Sequence, residues 1–249
     1  MRAYLNVLVV IVLAATLAVS CGTKKDKKPS ADDPQTAAGY VRRAKANFLS
    51  KEKAIKDCDK AVELDPKLVE AYEFRAECYT ALHDKTENEK HARKAIADYD
   101  SLLDLDPPSD QAADYLRKRG LLKMKLEDYD GAVKDFQTSG KVKRNEPRTY
   151  EYLAQAFLAK DDRERALKAY GWAIHYEPRN TALFKARAAI YRQMNDFDNA
   201  IKDLMEVVRI QPDNDAYIAL GEICEAKGDK LAAIDWYSKV KEDDKPGPN

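Results

Sequence analysis

Residues 150–178 read YEYLAQAFLAKDDRERALKAYGWAIHYEP, and residues 184–212 read FKARAAIYRQMNDFDNAIKDLMEVVRIQP. In the first stretch Tyr150, Leu153, Ala154 and Phe157 form one stripe at helical spacing, and Ala166, Tyr170 and Ala173 form a second. In the next stretch Phe184, Arg187, Ala188 and Tyr191 stand at the spacings of the first stripe, followed by Ala200, Leu204, Val207 and Pro212. The stripes are parted by short polar turns, Lys160-Asp161-Asp162 and Asn195-Asp196, and each unit closes on a proline, which pushes the residue before it out of the helical region. Pro178 and Pro212 are 34 residues apart.

The same unit extends outward in both directions. Ala44, Ala54, Cys58, Ala61 and Pro66 make a first copy, and Ala76, Ala95, Tyr99, Leu102 and Pro107 a second. A third has Gly120, Ala132, Phe136 and Ser139 with a late proline at Pro147, and the last has Leu220, Gly221, Ala233, Tyr237 and Val240. The second copy separates its two alanines by seven more residues than the clear units, which predicts an enlarged polar turn around His83 to Arg93. Eight residues after the second-helix alanine stand Val62, Leu103, Gly140, Ile174, Val208 and Lys241. By phase this column packs on the following repeat, so its change to lysine marks Lys241 as the end of the array.

The pattern resembles the tetratricopeptide repeat family over nearly all of the chain beyond residue 36. The resemblance implies an all-α fold, a right-handed α-solenoid of about six helix-turn-helix repeats over 37–241. The repeats run at about 37–67, 68–108, 113–146, 147–180, 181–213 and 214–241. It also implies that the first helix of each repeat lines a concave groove that takes a protein or peptide partner. The residues expected to face that groove are Lys45, Glu70, Glu73, Glu77, Arg117, Glu151, Gln155, Lys185, Ala189, Arg192, Glu222 and Glu225, whose sign alternates between repeats. The family's clamp for a C-terminal carboxylate is not reproduced, because Val41 and Glu77 stand where it needs cationic or amide donors. A segment of mixed charge is the expected ligand.

Lys plus Arg and Asp plus Glu number 43 each, so bulk charge favours neither nucleic acid nor an acidic surface. No nucleotide-binding, hydrolase or zinc-protease motif occurs, and no enzyme, metal site or cofactor is expected. His83 and His91 read as part of the solvated inserted turn, and His175 as a residue near a helix end. Asp57, Asp98, Asp135 and Asp203 recur immediately before the second-helix marker; an aspartate repeated once per unit points to a structural or exposed role rather than to catalysis, which needs groups converging on one pocket. Cys58, Cys78 and Cys224 are expected to be small buried hydrophobes with free thiols.

At the N-terminus Arg2 precedes an uncharged apolar run, Val7 to Val19, and then Ser20 and Cys21. A positive start, a short apolar core and a small residue make 1–20 a signal peptide. Cysteine directly after Ser20 resembles a bacterial lipobox, which implies acylation at Cys21 and a membrane anchor. Residues 21–36 then read as a flexible tether and 242–249 as a polar tail. Gly22, in place of an aspartate after the cysteine, favours the outer membrane, facing the periplasm. Together these features predict an envelope adaptor or assembly factor, with an accessory binding component of a small-molecule transport system as the alternative.

Overall fold

The structure is a computed structural model that describes residues 35–240. Cys21, the segment before it, the tether to Pro34, Lys241 and the tail lie outside the described residues. Those residues form twelve helices and no strand. They are α1 (Ala37–Ala46), α2 (Lys51–Leu64), α3 (Val69–Thr86), α4 (Glu89–Asp104), α5 (Ser109–Lys125) and α6 (Tyr129–Val142), then α7 (Pro147–Ala159), α8 (Arg163–Tyr176), α9 (Thr181–Gln193), α10 (Phe197–Ile210), α11 (Asn214–Ala226) and α12 (Lys230–Ser238). Each helix packs on its neighbours in the chain, and first helices also touch across repeats, α1 against α3 and α5 against α7. Stability is therefore built from one repeat to the next, as in any quasi-one-dimensional array.

The turn inside a repeat is set by two residues. Glu127, Asp161, Asn195 and Gly228 adopt left-handed backbone, and the aspartate after each, Asp128, Asp162, Asp196 and Asp229, caps the next helix. Each carboxylate accepts the amide N–H three residues on, that of Gly131, Arg165, Asn199 or Ala232. The prolines act at helix boundaries. Pro178 and Pro212 follow the ends of α8 and α10, whereas Pro147 opens α7 at its first position, where a missing N–H costs nothing.

The enlarged turn expected in the second repeat is not there. Glu87, in left-handed backbone, and Asn88, accepting from the Lys90 amide, make the same short turn as elsewhere. The extra residues lengthen the helices instead: α3 has 18 residues against 13 in α7, and α4 has 16 against 14 in α8. Residues 82–94 contain no glycine or proline and keep an apolar inner side in Leu82 and Ala92, so extending the helices buries more than looping out would. His83 is accordingly not solvated; it is only 8 % exposed, with Nδ1 3.2 Å from the Asn88 carbonyl oxygen. His91 stacks on Tyr79 with ring centroids 6.2 Å apart.

Small residues hold the paired helices close. Ala44, Ala76, Ala154 and Ala188 on the first helices and all six second-helix alanines are buried, with Tyr99, Phe136 and Tyr170 filling the space beside them. At Gly120 a β-carbon would stand 2.7 Å from the Phe136 ring, so the third repeat has no room even for alanine without a shift. Cys58, Cys78 and Cys224 are buried free thiols, and burial pushes the Cys58 thiol up to about 12.

Candidate functional site

The expected groove residues stand on the first helices, and most of their charges are bonded to neighbouring side chains. Lys45 on α1 pairs with Glu70 on α3 at 2.5 Å; the Tyr115 hydroxyl on α5 donates to Glu73 at 2.5 Å; Lys118 reaches Glu77 at 4.0 Å. Arg117 pairs with Asp114 and lies 3.7 Å from Glu146. Lys185 on α9 pairs with Asp213 at 2.5 Å, and Arg192 with Glu222 on α11 at 2.7 Å. The alternation of sign along the chain thus becomes a stitch between neighbouring repeats. These pairs are partly exposed and each contributes about 0–1 kcal/mol. On α7 the Gln155 amide donates to Glu151 at 3.5 Å, Ala189 is exposed on α9, and Glu225 lies against the Tyr237 hydroxyl.

The recurring aspartates are buried and structural. Each accepts two parallel bonds from an arginine that directly precedes the small residue of the first helix: Arg43 to Asp57, Arg119 to Asp135 and Arg187 to Asp203, while Arg75 clasps Asp98 at 2.6–3.2 Å. Asp135, 2 % exposed, also receives Lys123 at 2.8 Å. Arg75 and Arg119 reach back to Asp59 and Asp100 on the preceding repeat, so one guanidinium ties three helices. The pairing raises the Arg119 and Arg187 guanidinium pKa, and Arg43 holds the Asp57 carboxyl below the usual carboxylate range. Three of the arginines also lie over the aromatic three residues earlier, Arg43 over Tyr40, Arg75 over Tyr72 and Arg187 over Phe184.

The fourth and sixth repeats break this column, the sixth with Leu220 and Trp236, where the Tyr217 ring stacks on Trp236 at 6.1 Å. Leu153 and Ala169 stand where repeats one, two, three and five have Arg and Asp. Without an arginine over it, the Tyr150 ring stacks on Tyr176 at 5.6 Å and leans on Trp172 at 6.4 Å, and its hydroxyl donates to the Gly140 carbonyl at 3.3 Å. A cleft of about 640 Å³ opens there between α6, α7 and α8. Its floor and walls are Leu153, Phe157, Tyr150, Trp172 and Tyr176, and Lys141, Arg144, Arg165 and Lys168 stand around it.

Comparison with known proteins identifies the fold. A tetratricopeptide repeat model matches residues 153–215 and 185–248. YrrB, described as a TPR protein with an unusual peptide-binding site, superposes with a TM-score of 0.59 at 18 % identity, covering 79 % of this chain and 94 % of its own. The fold is a tetratricopeptide-repeat solenoid. Two curated proteins share part of its sequence. BBSome complex member BBS4 of Bos taurus is 27 % identical over 122 residues, and small glutamine-rich tetratricopeptide repeat-containing protein 2 of Mycosarcoma maydis is 33 % identical over 88 residues. These matches cover 49 % and 35 % of this chain but only 23 % and 25 % of the relatives, so the chain spans about a quarter of each.

Tetratricopeptide-repeat solenoids are typically non-catalytic scaffolds that bind a peptide or protein in a groove. In this one, among the described residues, no group of three His, Cys, Asp or Glu side chains is placed to hold a metal ion. The repeat places the expected groove residues on successive first helices, where neighbours meet in pairs rather than at one point. Two features escaped the reading of the sequence. The arginine column at residues 43, 75, 119 and 187 was visible, one residue before each small marker, as the partner of the aspartates. Trp172 was visible too, as the one aromatic among Lys60, Ser101, Thr138, Glu206 and Lys239 six residues after each second-helix alanine.

Proposed function

We propose that this protein is a membrane-anchored adaptor or assembly factor of the bacterial cell envelope, held by lipid on Cys21 and recruiting a protein partner along its first-helix groove. The observation that carries the recruiting role is the array itself: six repeats present a continuous line of first helices. The peptide-binding site in the description of YrrB supports the same reading. For the anchor, the support is the uncharged run from Val7 to Val19 ending in Ser20-Cys21. Gly22 after the cysteine, in place of an aspartate, supports attachment to the outer membrane, facing the periplasm, over the inner membrane.

Two measurements test this. Cells fed a fatty-acid analogue should label the wild-type protein and not Cys21→Ala; equal labelling removes the anchor. Capture with the intact lipidated protein, followed by mass spectrometry, should yield a partner that is lost when the groove is altered at Gln155→Lys and Ala189→Glu. Those two positions are chosen because neither belongs to an inter-repeat ion pair, so the fold stays intact. The alternative, an accessory binding component of a small-molecule transport system, has the aromatic cleft of the fourth repeat in its favour. That cleft is open, with Trp172 54 % exposed at its wall, which suits a chain segment better than an engulfed solute.

A further inference from the structure

Repeats allow each position to be compared with five others, and the positions that break their own column are informative because local rules fail at functional sites. Three columns break at one place. The buried Arg–Asp pair becomes Leu153 and Ala169, a column that departs elsewhere only in the last repeat, at Leu220 and Trp236. The apolar column of Val62, Leu103, Ile174 and Val208 becomes Gly140, against which the Tyr150 ring lies; a β-carbon there would touch it at 3.4 Å. The polar column of Lys60, Ser101, Thr138, Glu206 and Lys239 becomes Trp172, left 54 % exposed. All four residues line the same cleft. Each change makes it wider, more apolar or more aromatic, and no packing demand of the fold explains an exposed tryptophan beside a vacated column.

Charge gives the cleft its direction. Of the four cations around it, Arg165 bonds Asp162 and lies over the Phe157 ring at 4.7 Å. Among the described residues, Lys141, Arg144 and Lys168 have no carboxylate in ion-pair distance, and no Asp or Glu lines the cleft. This contrasts with the first-helix groove, where cation after cation is matched by a carboxylate of the next repeat. In a chain with as many acidic as basic residues, unmatched cations ringing an exposed tryptophan call for a partner that supplies the missing sign.

We propose that the cleft between the third and fourth repeats is a second binding site, on the face away from the first-helix groove, for an acidic protein segment that carries an aromatic residue. The aromatic side chain enters against Trp172 and Tyr150, over the floor made by Leu153 and Gly140, and the flanking carboxylates meet Arg144, Lys168 and Lys141. About 300–1,000 Å³ is the usual size of a ligand pocket, so 640 Å³ takes one or two side chains while the rest of the segment lies across the second helices. The faces are distinct because Tyr150, Leu153 and Phe157 lie roughly 150° around α7 from Glu151 and Gln155, at about 100° per residue. A bilayer surface cannot reach a recessed floor, whereas a side chain can. The site stands whether or not Cys21 is lipidated and whether or not the groove has a partner of its own.

The test pans a phage-displayed library of random dodecapeptides on the purified full-length protein and counter-screens on Arg144→Glu/Lys168→Glu. Selected peptides should carry an aromatic residue beside two or more acidic ones. Their synthetic versions should lose tenfold or more in affinity for the reversed variant and for Trp172→Thr, which restores the residue type of the third repeat. Binding should persist in Gln155→Lys/Ala189→Glu. Because Arg144, Lys168 and Trp172 are exposed, the melting curves of these variants should follow the wild type, and Trp172→Thr leaves the charge untouched if the double reversal unfolds. The proposal fails if no peptides are selected, if they lack the acidic and aromatic pattern, or if they bind the reversed variant equally. It fails equally if the reversal instead abolishes sedimentation with vesicles of 30 % phosphatidylserine or self-association of the protein.

Discussion

The fourth and fifth repeats share a period, a capped turn and a line of buried alanines, yet they fill the space beside those alanines differently. In the fifth, Arg187 reaches Asp203 with two bonds of 2.7 and 2.8 Å and covers the Phe184 ring. In the fourth, Leu153 and Ala169 take those positions, and the Tyr150 ring turns to Trp172 and Tyr176. Both helix pairs form, so the fold does not require the ion pair. A buried pair has to recover the cost of desolvating two charges, and an apolar replacement of both is often neutral or better. What the pair does is close the second-helix side of the repeat with a ring and a guanidinium; in the fourth repeat, which lacks it, that side stays open. The difference between the repeats is thus one of surface, made by a change in the core.

The largest expected effect breaks a pair from one side only. Asp135→Ala leaves Arg119 and Lys123 facing a vacated, buried position, which should cost about 3–5 kcal/mol. Removing both partners, Arg187→Leu with Asp203→Ala, copies the fourth repeat into the fifth and should cost less than half as much. Thermal unfolding followed by circular dichroism separates the two cases, and a double change as damaging as the single one would show that the pair is needed by the fold after all.

Next in size is overpacking. Ala154 is fully buried where α7 and α8 nearly touch, so Ala154→Leu should cost about 1–3 kcal/mol. Thr86→Leu, at the exposed end of the lengthened α3, gives up a bond to the Leu82 carbonyl and should cost less. Equal losses in melting temperature would mean that the register of the paired helices is wrong. A smaller effect of opposite sign is expected at Thr149, whose hydroxyl is buried without a hydrogen-bond partner among the described residues. Thr149→Val removes that unsatisfied group at nearly constant volume and should stabilise by about 1 kcal/mol, or roughly 2–4 °C.

These residues also show how much a sequence of this kind discloses. The small and aromatic markers, the period and the polar turns were legible because each is a local demand that recurs from repeat to repeat. The turn of the second repeat was misread because seven additional residues carry no sign of whether they extend two helices or loop between them; only the inner side of Leu82, His83 and Ala92 decides that. The groove charges were placed on the correct helices, but their mutual pairing depends on the offset between repeats, which spacing along the chain does not express. The cleft needed three columns to be compared at once, and each departure alone, Gly140 for example, looked like an ordinary exception.

The smallest effect concerns pH and contrasts two pairs that look alike in sequence. Arg43 is half exposed, and its hydrogen bonds hold the Asp57 carboxyl below the usual range. Asp98 is buried more deeply against Arg75, and there burial outweighs the guanidinium and raises the carboxyl. The consequences for stability have opposite signs. A lowered folded-state pKa means that Asp57 contributes above its unfolded value, about 3.9, and that the contribution is lost as pH falls through the folded value. A raised one means that protonation of Asp98 favours the folded chain below that unfolded value, and that this is lost as pH rises through the folded value. Carboxyl carbon chemical shifts followed by NMR from pH 7 downward should therefore show Asp98 titrating before Asp57. Asp57→Asn should flatten the acid side of the stability curve, and Asp98→Asn should not. If Asp57 titrates before Asp98, solvent and not the guanidinium controls the first pair, and the two repeats differ less in their interiors than their exposures indicate.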